Sequence, residues 1–276
     1  MTGKKNRAGR VLKYILILLL LALFNVPFYL MVTNSFKTTQ QFVENPFALP
    51  AKINFRNYID AFSKMKFPNA LLNSFLIMLI SVALIILSSS MAAYFLVRNK
   101  WRINKILYAV FVASMIVPFQ AIMIPLVSIY GKLGLMNNKW TLIFMYMGFG
   151  QAFAIFIFHG FIKNIPLEME EAALIDGCNR MQSFFIIVFP LLKPVVVTVL
   201  ILDVLWIWND YLLPSLILLS PSERTLPLST YSFFSSYSVD YAPLMAGLVL
   251  TIIPVLIAYL LCQKQIIRGV VQGAIK

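Results

Sequence analysis

The side chains best suited to chemistry lie inside an apolar run in the last third of the chain: Asp203, Trp206, Asn209, Asp210 and Tyr211. Asp203 and Asp210 are seven residues apart, so on one unbroken helix they project from nearly the same face. Trp206, Asn209 and Asp210 share much of that face at spacings of three and four. A carboxylate in hydrocarbon costs roughly 2.5–3.5 kcal/mol on insertion scales, so such residues face a bundle interior or water. An aromatic ring stacks on the CH face of a sugar or polyol, and amide and carboxylate groups hydrogen-bond its hydroxyls. The cluster therefore suits the path of a polyhydroxylated solute. The other reading is that Asp203 and Asp210 pair with groups on a partner subunit and fix packing.

A second constellation, Glu170-Glu171-Ala172-Ala173-Leu174-Ile175-Asp176-Gly177, sits between two long apolar runs. Asn164 is a candidate cap for a helix whose first turn holds Pro166, with Glu168, Glu170 and Glu171 near its positive end. Gly177 ends that helix, because glycine adopts the left-handed conformation at little cost. A second helical run begins near Arg180 and is expected to stop before Pro190 and Pro194. Ala172 and Ala173 leave one helix face low, so that another protein can approach its backbone. The segment is either a charged connector or a docking surface for a soluble partner.

The rest of the chain must hold these two clusters. It is 61% hydrophobic and 12% charged, with a mean hydropathy of +0.85. Soluble chains carry about twice that share of charge. Six apolar runs are long enough to span a bilayer core: roughly 14–33, 71–97, 106–130, 140–161, 194–219 and 243–261. The first reads as a retained span, since other spans follow and no small-x-small cleavage site stands after it. The expected fold is an all-α polytopic membrane protein with six transmembrane helices. Residues 1–13 form an N-terminal segment, 14–264 the six-helix domain with the loop 163–193, and 265–276 a tail.

The net charge of +13 is unevenly placed. Fifteen of the twenty-three Lys and Arg residues fall before span one, between spans two and three, in the 163–193 loop, or after span six. The positive-inside rule puts those segments and both termini in the cytoplasm. No basic patch with stacking aromatics lies outside the spans, which argues against nucleic acid as a partner. Cys178 and Cys262 fall on the predicted cytoplasmic side, where thiols stay reduced. His159 has no obvious partner and reads as structural, and no Cys/His cluster suggests a metal. No Gly-rich phosphate loop is present, so any ATP used must be bound by another chain.

Several smaller features complete the reading. The outside segment from 35 to 70 contains Pro46, Pro50 and Pro68, with a short amphipathic helix expected over Asn57–Phe62. Asn73-Ser74 reads as the cap of span two. Ser88, Ser89 and Ser90 read as close helix-packing positions.

With these residues in view, the chain resembles the permease subunits of maltose-type carbohydrate-uptake ABC importers. The resemblance covers nearly all of the sequence. It rests on Asn57-Tyr58, Asn73-Ser74, Ala92-Ala93-Tyr94, Ile124-Pro125-Leu126, Leu133-Gly134-Leu135, Gly160-Phe161 and Ile165-Pro166. It continues through Glu170-Glu171-Ala172-Ala173, Asp176-Gly177, Trp208-Asn209-Asp210-Tyr211-Leu212, Thr225-Leu226-Pro227, Arg268-Gly269 and Gly273-Ala274. The Glu-Ala-Ala segment marks ABC importers in general. The Trp-Asn-Asp segment and the Gly-Ala tail narrow the likeness to sugar systems and to the second of two paired permeases. Phe189 stands where leucine is usual before Pro190.

The resemblance implies an ABC type I importer permease architecture in a bacterial or archaeal cell (inner) membrane. It implies a second permease subunit, two copies of a cytoplasmic ATPase and an extracytoplasmic sugar-binding protein, with membrane lipid around the spans. ATP and Mg would be bound by the ATPase, and no cofactor by this chain. Glu170, Glu171, Ala172, Ala173, Leu174, Asp176 and Gly177 would couple to that ATPase, and Gln272, Gly273 and Ala274 would be further contacts. Three rival readings stand beside this one. They are an ABC permease for a non-sugar solute, an ion-coupled carrier using Asp203 and Asp210, and a membrane enzyme. The carrier would need inverted repeats, and none is visible. The enzyme would need a nucleophile–base spacing, which is also absent.

Overall fold

The computed structural model describes residues 3–235 and 238–274, with side chains placed for 9–235, 238–260 and 263. In chain order the helices are α1 (Gly3–Asn34), α2 (Thr39–Glu44), α3 (Arg56–Lys64), α4 (Phe67–Arg98), α5 (Arg102–Ser114), α6 (Phe119–Lys132) and α7 (Lys139–Ile162). There follow α8 (Glu168–Ile175), α9 (Arg180–Ser183), a π-helical turn (Phe184–Val188), α10 (Phe189–Leu191), α11 (Lys193–Asn209) and α12 (Leu212–Ile217). The chain continues through α13 (Leu226–Ser229) and a 3₁₀ turn (Thr230–Phe233) to α14 (Tyr241–Ala274). Among the described residues the one β feature is an isolated bridge between Phe234 and Val239.

Four described helices are long and apolar enough to cross a membrane unbroken, and counting each of two bent pairs as one span brings the number to six. The fold is all-α, with the number of spans expected. Two spans differ from the expected continuous runs. The third bends by 100° between α5 and α6. Pro118 cannot donate a backbone N–H, and Met115, Ile116 and Val117 turn back on residues three earlier before α6 begins. In the fifth, α9 to α10 bend by 75° into α11, and the expected run 194–219 is itself broken at Asp210, between the end of α11 and the start of α12 at Leu212.

Pro190 does not stop the helix, contrary to expectation. The chain widens over Phe184–Val188, where the Phe189 N–H donates to the Phe184 carbonyl, and the proline is carried one turn further. The bend falls at Leu192, where Pro194 opens the next helix in its first turn. The last helix runs without a break across the 264/265 boundary drawn from the sequence.

Cα packing divides the chain into two compact units, 1–67 with 230–256 and 68–229 with 257–276. In the first, α2 is closed by a capping box between Thr38 and Gln41. The expected short amphipathic helix is α3, which buries Asn57 and Ala61 and exposes Ile59 and Phe62. Asn57 Nδ2 donates to the carbonyls of Ser35 (2.8 Å) and Lys37 (2.7 Å). Lys37 is buried, its Nζ donating to the carbonyls of Asn45 (3.0 Å) and Pro46 (3.1 Å), and that burial lowers its pKa. Lys64 pairs with Asp240, and a Cβ on Gly247 would lie 2.8 Å from Phe233.

In the second unit, α4 and α7 form the core through Ile77, Ile85, Ala93, Leu142, Tyr146, Ile155 and Phe158, all buried. A Cβ on Gly150 would lie 2.6 Å from Ile85, so these two helices approach closely. Ser88 is part of that contact, accepting from Gln151 Nε2 at 3.1 Å. Asn73 and Ser74 do not cap α4, which begins at Phe67. They are buried inside it and pin the 222–226 segment. Asn73 Nδ2 donates to the carbonyls of Ser222 (2.9 Å) and Arg224 (3.2 Å), and Ser74 Oγ accepts from Leu226 N (2.7 Å).

Candidate functional site

The charged segment forms the short helix, glycine turn and second helix read from the sequence, all within the second unit. Its cap is different. Leu167 occupies the N-cap without a side-chain bond, and Asn164 Nδ2 donates back to the Gly160 carbonyl at 2.9 Å. Glu168, Glu170 and Glu171 supply the acidic first turn. At the other end Gly177 has φ +91°. Its N–H donates to Leu174 O (3.1 Å) and the Cys178 N–H to Ala173 O (3.0 Å), the two bonds of a Schellman motif. Asn179 and Gln182 then cap α9 reciprocally.

The proposed coupling residues separate into two groups. Glu171, Ala172, Leu174, Asp176 and Gly177 are exposed, while Glu170 and Ala173 are buried. The alanine pair is therefore not one low outer face, because one full helical step takes Ala173 to the inner side. Ile175, absent from the coupling residues expected from the sequence, is 86% exposed and stands at the tip beside Leu174. An isoleucine next to Asp176-Gly177 is the signal that would have singled it out.

Glu170 is held by two residues that the sequence alone did not mark as part of the site. Its Oε2 accepts from the Tyr94 hydroxyl (2.7 Å) and its Oε1 from Arg98 Nε (2.7 Å), with Arg98 Nη2 ion-paired to the same oxygen at 2.6 Å. Arg98 also donates to the Ile165 carbonyl (3.0 Å). Tyr94 and Arg98 lie four residues apart, hence on one face at the end of α4. A short charge-assisted pair with both partners mostly shielded is strong. Removing one side of such a pair costs about 3–5 kcal/mol. The cluster forms one wall of a cleft of 520 Å³ that also meets Glu171, Arg180 and Met181.

The second cluster is divided by the break in span five. Asp210 ends α11 in an extended conformation. Its Oδ1 accepts from Leu212 N (3.0 Å) at the start of α12, and its Oδ2 from the Tyr146 hydroxyl (3.0 Å) on α7. Asp203 and Asp210 therefore do not share one continuous helix face. Asp203 is buried and its Oδ2 has no hydrogen-bond partner. With Phe149, Gly150, Phe153, Leu202 and Trp206 it lines a cavity of 290 Å³. Trp206 meets Tyr146 edge-on at 5.5 Å. Asn209 is exposed, donating to the Leu205 carbonyl (2.7 Å), and Tyr211 is exposed.

A buried carboxyl without a partner destabilises its surroundings. Asp203→Leu is accordingly expected to leave the melting temperature of the detergent-solubilised complex unchanged or higher. A fall in melting temperature would mean that another subunit supplies a donor to Asp203.

His159 stacks on Tyr108 with ring centroids 3.9 Å apart, and Cys178 is a free thiol. Among the described residues no group of His, Cys, Asp or Glu is arranged to hold a metal ion. The backbone of Gln272, Gly273 and Ala274 continues α14. Their side chains, like that of Cys262, lie outside the described residues.

Comparison with known proteins gives a consistent result. The family described as "Binding-protein-dependent transport system inner membrane component" matches residues 84–272. A probable starch degradation products transport system permease protein of Thermoanaerobacterium thermosulfurigenes is 41% identical over 98% of this chain and 99% of its own length. The multiple sugar-binding transport system permease protein of Streptococcus mutans is 37% identical over 99% of each chain. The melibiose/raffinose/stachyose import permease protein of Bacillus subtilis is 31% identical over the whole of both. Among solved structures, a chain of a bacterial ABC transporter involved in the import of the acidic polysaccharide alginate superposes with a TM-score of 0.81. It is 22% identical, over 96% of this chain and 98% of that one, and shares the fold.

Proposed function

Because the chain belongs to the family of binding-protein-dependent transport system inner membrane components, we propose that it is the permease subunit of an ATP-driven importer that carries a sugar into the cell. The observation that carries the coupling part of this reading is the exposed edge of α8. Leu174 and Ile175 stand out from a short helix that is tied down from behind. Apolar side chains held in the open on a rigid element suit a protein partner.

In this reading α8 docks on a cytoplasmic ATPase, present in two copies, through Glu171, Ala172, Leu174, Ile175, Asp176 and Gly177. Glu170 and Ala173 shape that surface from inside. ATP and Mg are bound by the ATPase. This chain performs no hydrolysis and binds no cofactor. A second permease completes the path, and an extracytoplasmic binding protein delivers the sugar. Gln272, Gly273 and Ala274 at the end of α14 are further contacts for the ATPase. The direct test is co-purification of the ATPase subunit with the permease pair. Loss of that association in Ile175→Asp, with the permease pair intact, is the expected result. Full retention would remove α8 from the docking surface.

Asp203 and Trp206 in the cavity, with Asn209, Asp210 and Tyr211 at the break between α11 and α12, are the proposed translocation-path residues. Breaking a span at a polar pair frees backbone groups, and such breaks persist where they line a cavity or are buried in protein.

Both termini and α8 lie on the cytoplasmic side in this reading, by the positive-inside rule. Cysteine introduced at Ser222 should then react with an impermeant maleimide added to whole cells or spheroplasts, and native Cys178 only after permeabilisation. Labelling of both positions from one side would overturn the orientation and the span count.

A further inference from the structure

We propose that Tyr94 and Arg98 are positioning residues for energy coupling, forming with Glu170 a bolt that makes the cytoplasmic end of α4 move with α8. The inference rests on the docking reading of α8 and adds the route by which its displacement enters the membrane. Within α8 only Glu170 and Ala173 are buried, so few side chains fasten the helix to the bundle. Ala173 offers one methyl group. Glu170 offers three contacts, all within 2.6–2.7 Å of Tyr94 and Arg98. Arg98 reaches in the same stroke to the Ile165 carbonyl, in the strand of chain that enters α8. The beginning of the segment, the middle of the docking helix and the last residue of α4 thus meet at one guanidinium.

The other way out of α8 runs through Gly177, where the chain reverses in a left-handed conformation, and then through the π-helical turn and the 75° bend before α11. Turns, widened helical turns and bends absorb displacement. A planar guanidinium that bonds a carboxylate oxygen through Nε, ion-pairs the same oxygen through Nη2 and holds a backbone carbonyl does not, because its donors have a fixed geometry. Tyr94 limits the remaining freedom. Its hydroxyl occupies the second carboxylate oxygen and its ring lies 5.1 Å from that of Phe184, the first residue of the π turn. The carboxylate therefore cannot rotate without breaking a bond on one side or the other. A push on α8 is delivered first to α4, whose close contact with α7 at Gly150 carries it into the core of the unit.

The test is a distance measurement on the assembled importer, with nitroxides at Lys100→Cys and Glu168→Cys in a chain carrying Cys178→Ser and Cys262→Ser. Both label sites are exposed, one just past the end of α4 and one at the start of α8. With the bolt intact the distance distribution stays narrow and superimposes between the nucleotide-free and ATP–vanadate-trapped states. In Arg98→Met it should broaden or shift between states by on the order of one helical turn, about 5 Å. The reversed pair, Arg98→Glu with Glu170→Arg, should bring the two states back towards superposition. Distributions that superimpose in both states for Arg98→Met overturn the proposal. If Arg98→Met does not assemble, Tyr94→Phe decides, since it removes one hydroxyl and keeps the ring on Phe184. A state-independent distance there overturns the proposal as well. Failure of the docking reading has a separate signature, namely retention of the ATPase by Ile175→Asp.

Discussion

Gly177→Pro is expected to abolish ATP-driven uptake while leaving the chain inserted in the membrane. Gly177 sits at φ +91° and its N–H donates to Leu174 O at 3.1 Å. Proline locks φ near −65° and has no N–H to give. The Schellman motif is lost with it, because the Cys178 N–H reaches Ala173 only after that left-handed step. A cost of roughly 3 kcal/mol corresponds to about two orders of magnitude in the population of the correctly closed turn. Nothing within 4 Å would meet a Cβ at this position, so the penalty is conformational and not a clash. Gly177→Asn, which tolerates the left-handed region, should retain much of the activity. Glu171→Lys tests the same surface from its other end. It reverses an exposed charge in the first turn of α8 without touching the core. The measurement is sugar uptake and ATPase co-purification with membrane insertion as the control. Normal values for Gly177→Pro would rule out the coupling role of the segment.

The second large effect is a divergence between neighbours. Asp210→Ala is expected to reduce the yield of assembled complex, whereas Asn209→Ala is expected to reduce uptake per assembled complex. Asp210 joins three elements, since it ends α11, accepts from the first turn of α12 and accepts from Tyr146 on α7. Its removal leaves the hydroxyl of the fully buried Tyr146 without that acceptor, at a cost of about 1–3 kcal/mol. Asp210→Asn, which keeps acceptor oxygen in place, should lie between the two. Asn209 is exposed, and its amide nitrogen returns only to the Leu205 carbonyl of its own helix. Its loss therefore strains no packing contact and should be felt by the solute. Uptake normalised to the amount of complex separates the two. Equal behaviour of Asn209→Ala and Asp210→Ala in both measures would show that the break in span five acts as one unit.

Much of the architecture is legible in the order of residues. The count of spans follows from runs of apolar residues, because a bilayer core demands a minimum length of apolar helix and little else. The helix–turn–helix over 168–183 follows from an acidic first turn, a glycine stop and the Asn179–Gln182 capping box, all local chemistry. Local chemistry also misled in places. Asn164 has the right type for a cap but bonds backwards to Gly160. Asn73 and Ser74 look like a cap yet hold a segment some 150 positions away in sequence, as the Asn73 bonds to Ser222 and Arg224 show.

The breaks in spans three and five, and the inward turn of Glu170, were decided by tertiary structure alone. Hydropathy has no term for a bend, so a run interrupted by Pro118 or Asp210 still scores as one apolar stretch. Nor can a string of acidic residues say which of them finds a cation. Glu170 and Glu171 are chemically identical neighbours, and about 100° of helical rotation sends one to Arg98 and the other to solvent. The sequence determined that this chain is built to cross a membrane and, through the Glu-Ala-Ala segment, marked the stretch proposed as the docking surface. Which side chains of α8 are exposed and which hold it in place depended on contacts between α4 and α8, elements separated by some seventy residues. Such pairings come from the packing of the whole unit and are written in no local pattern.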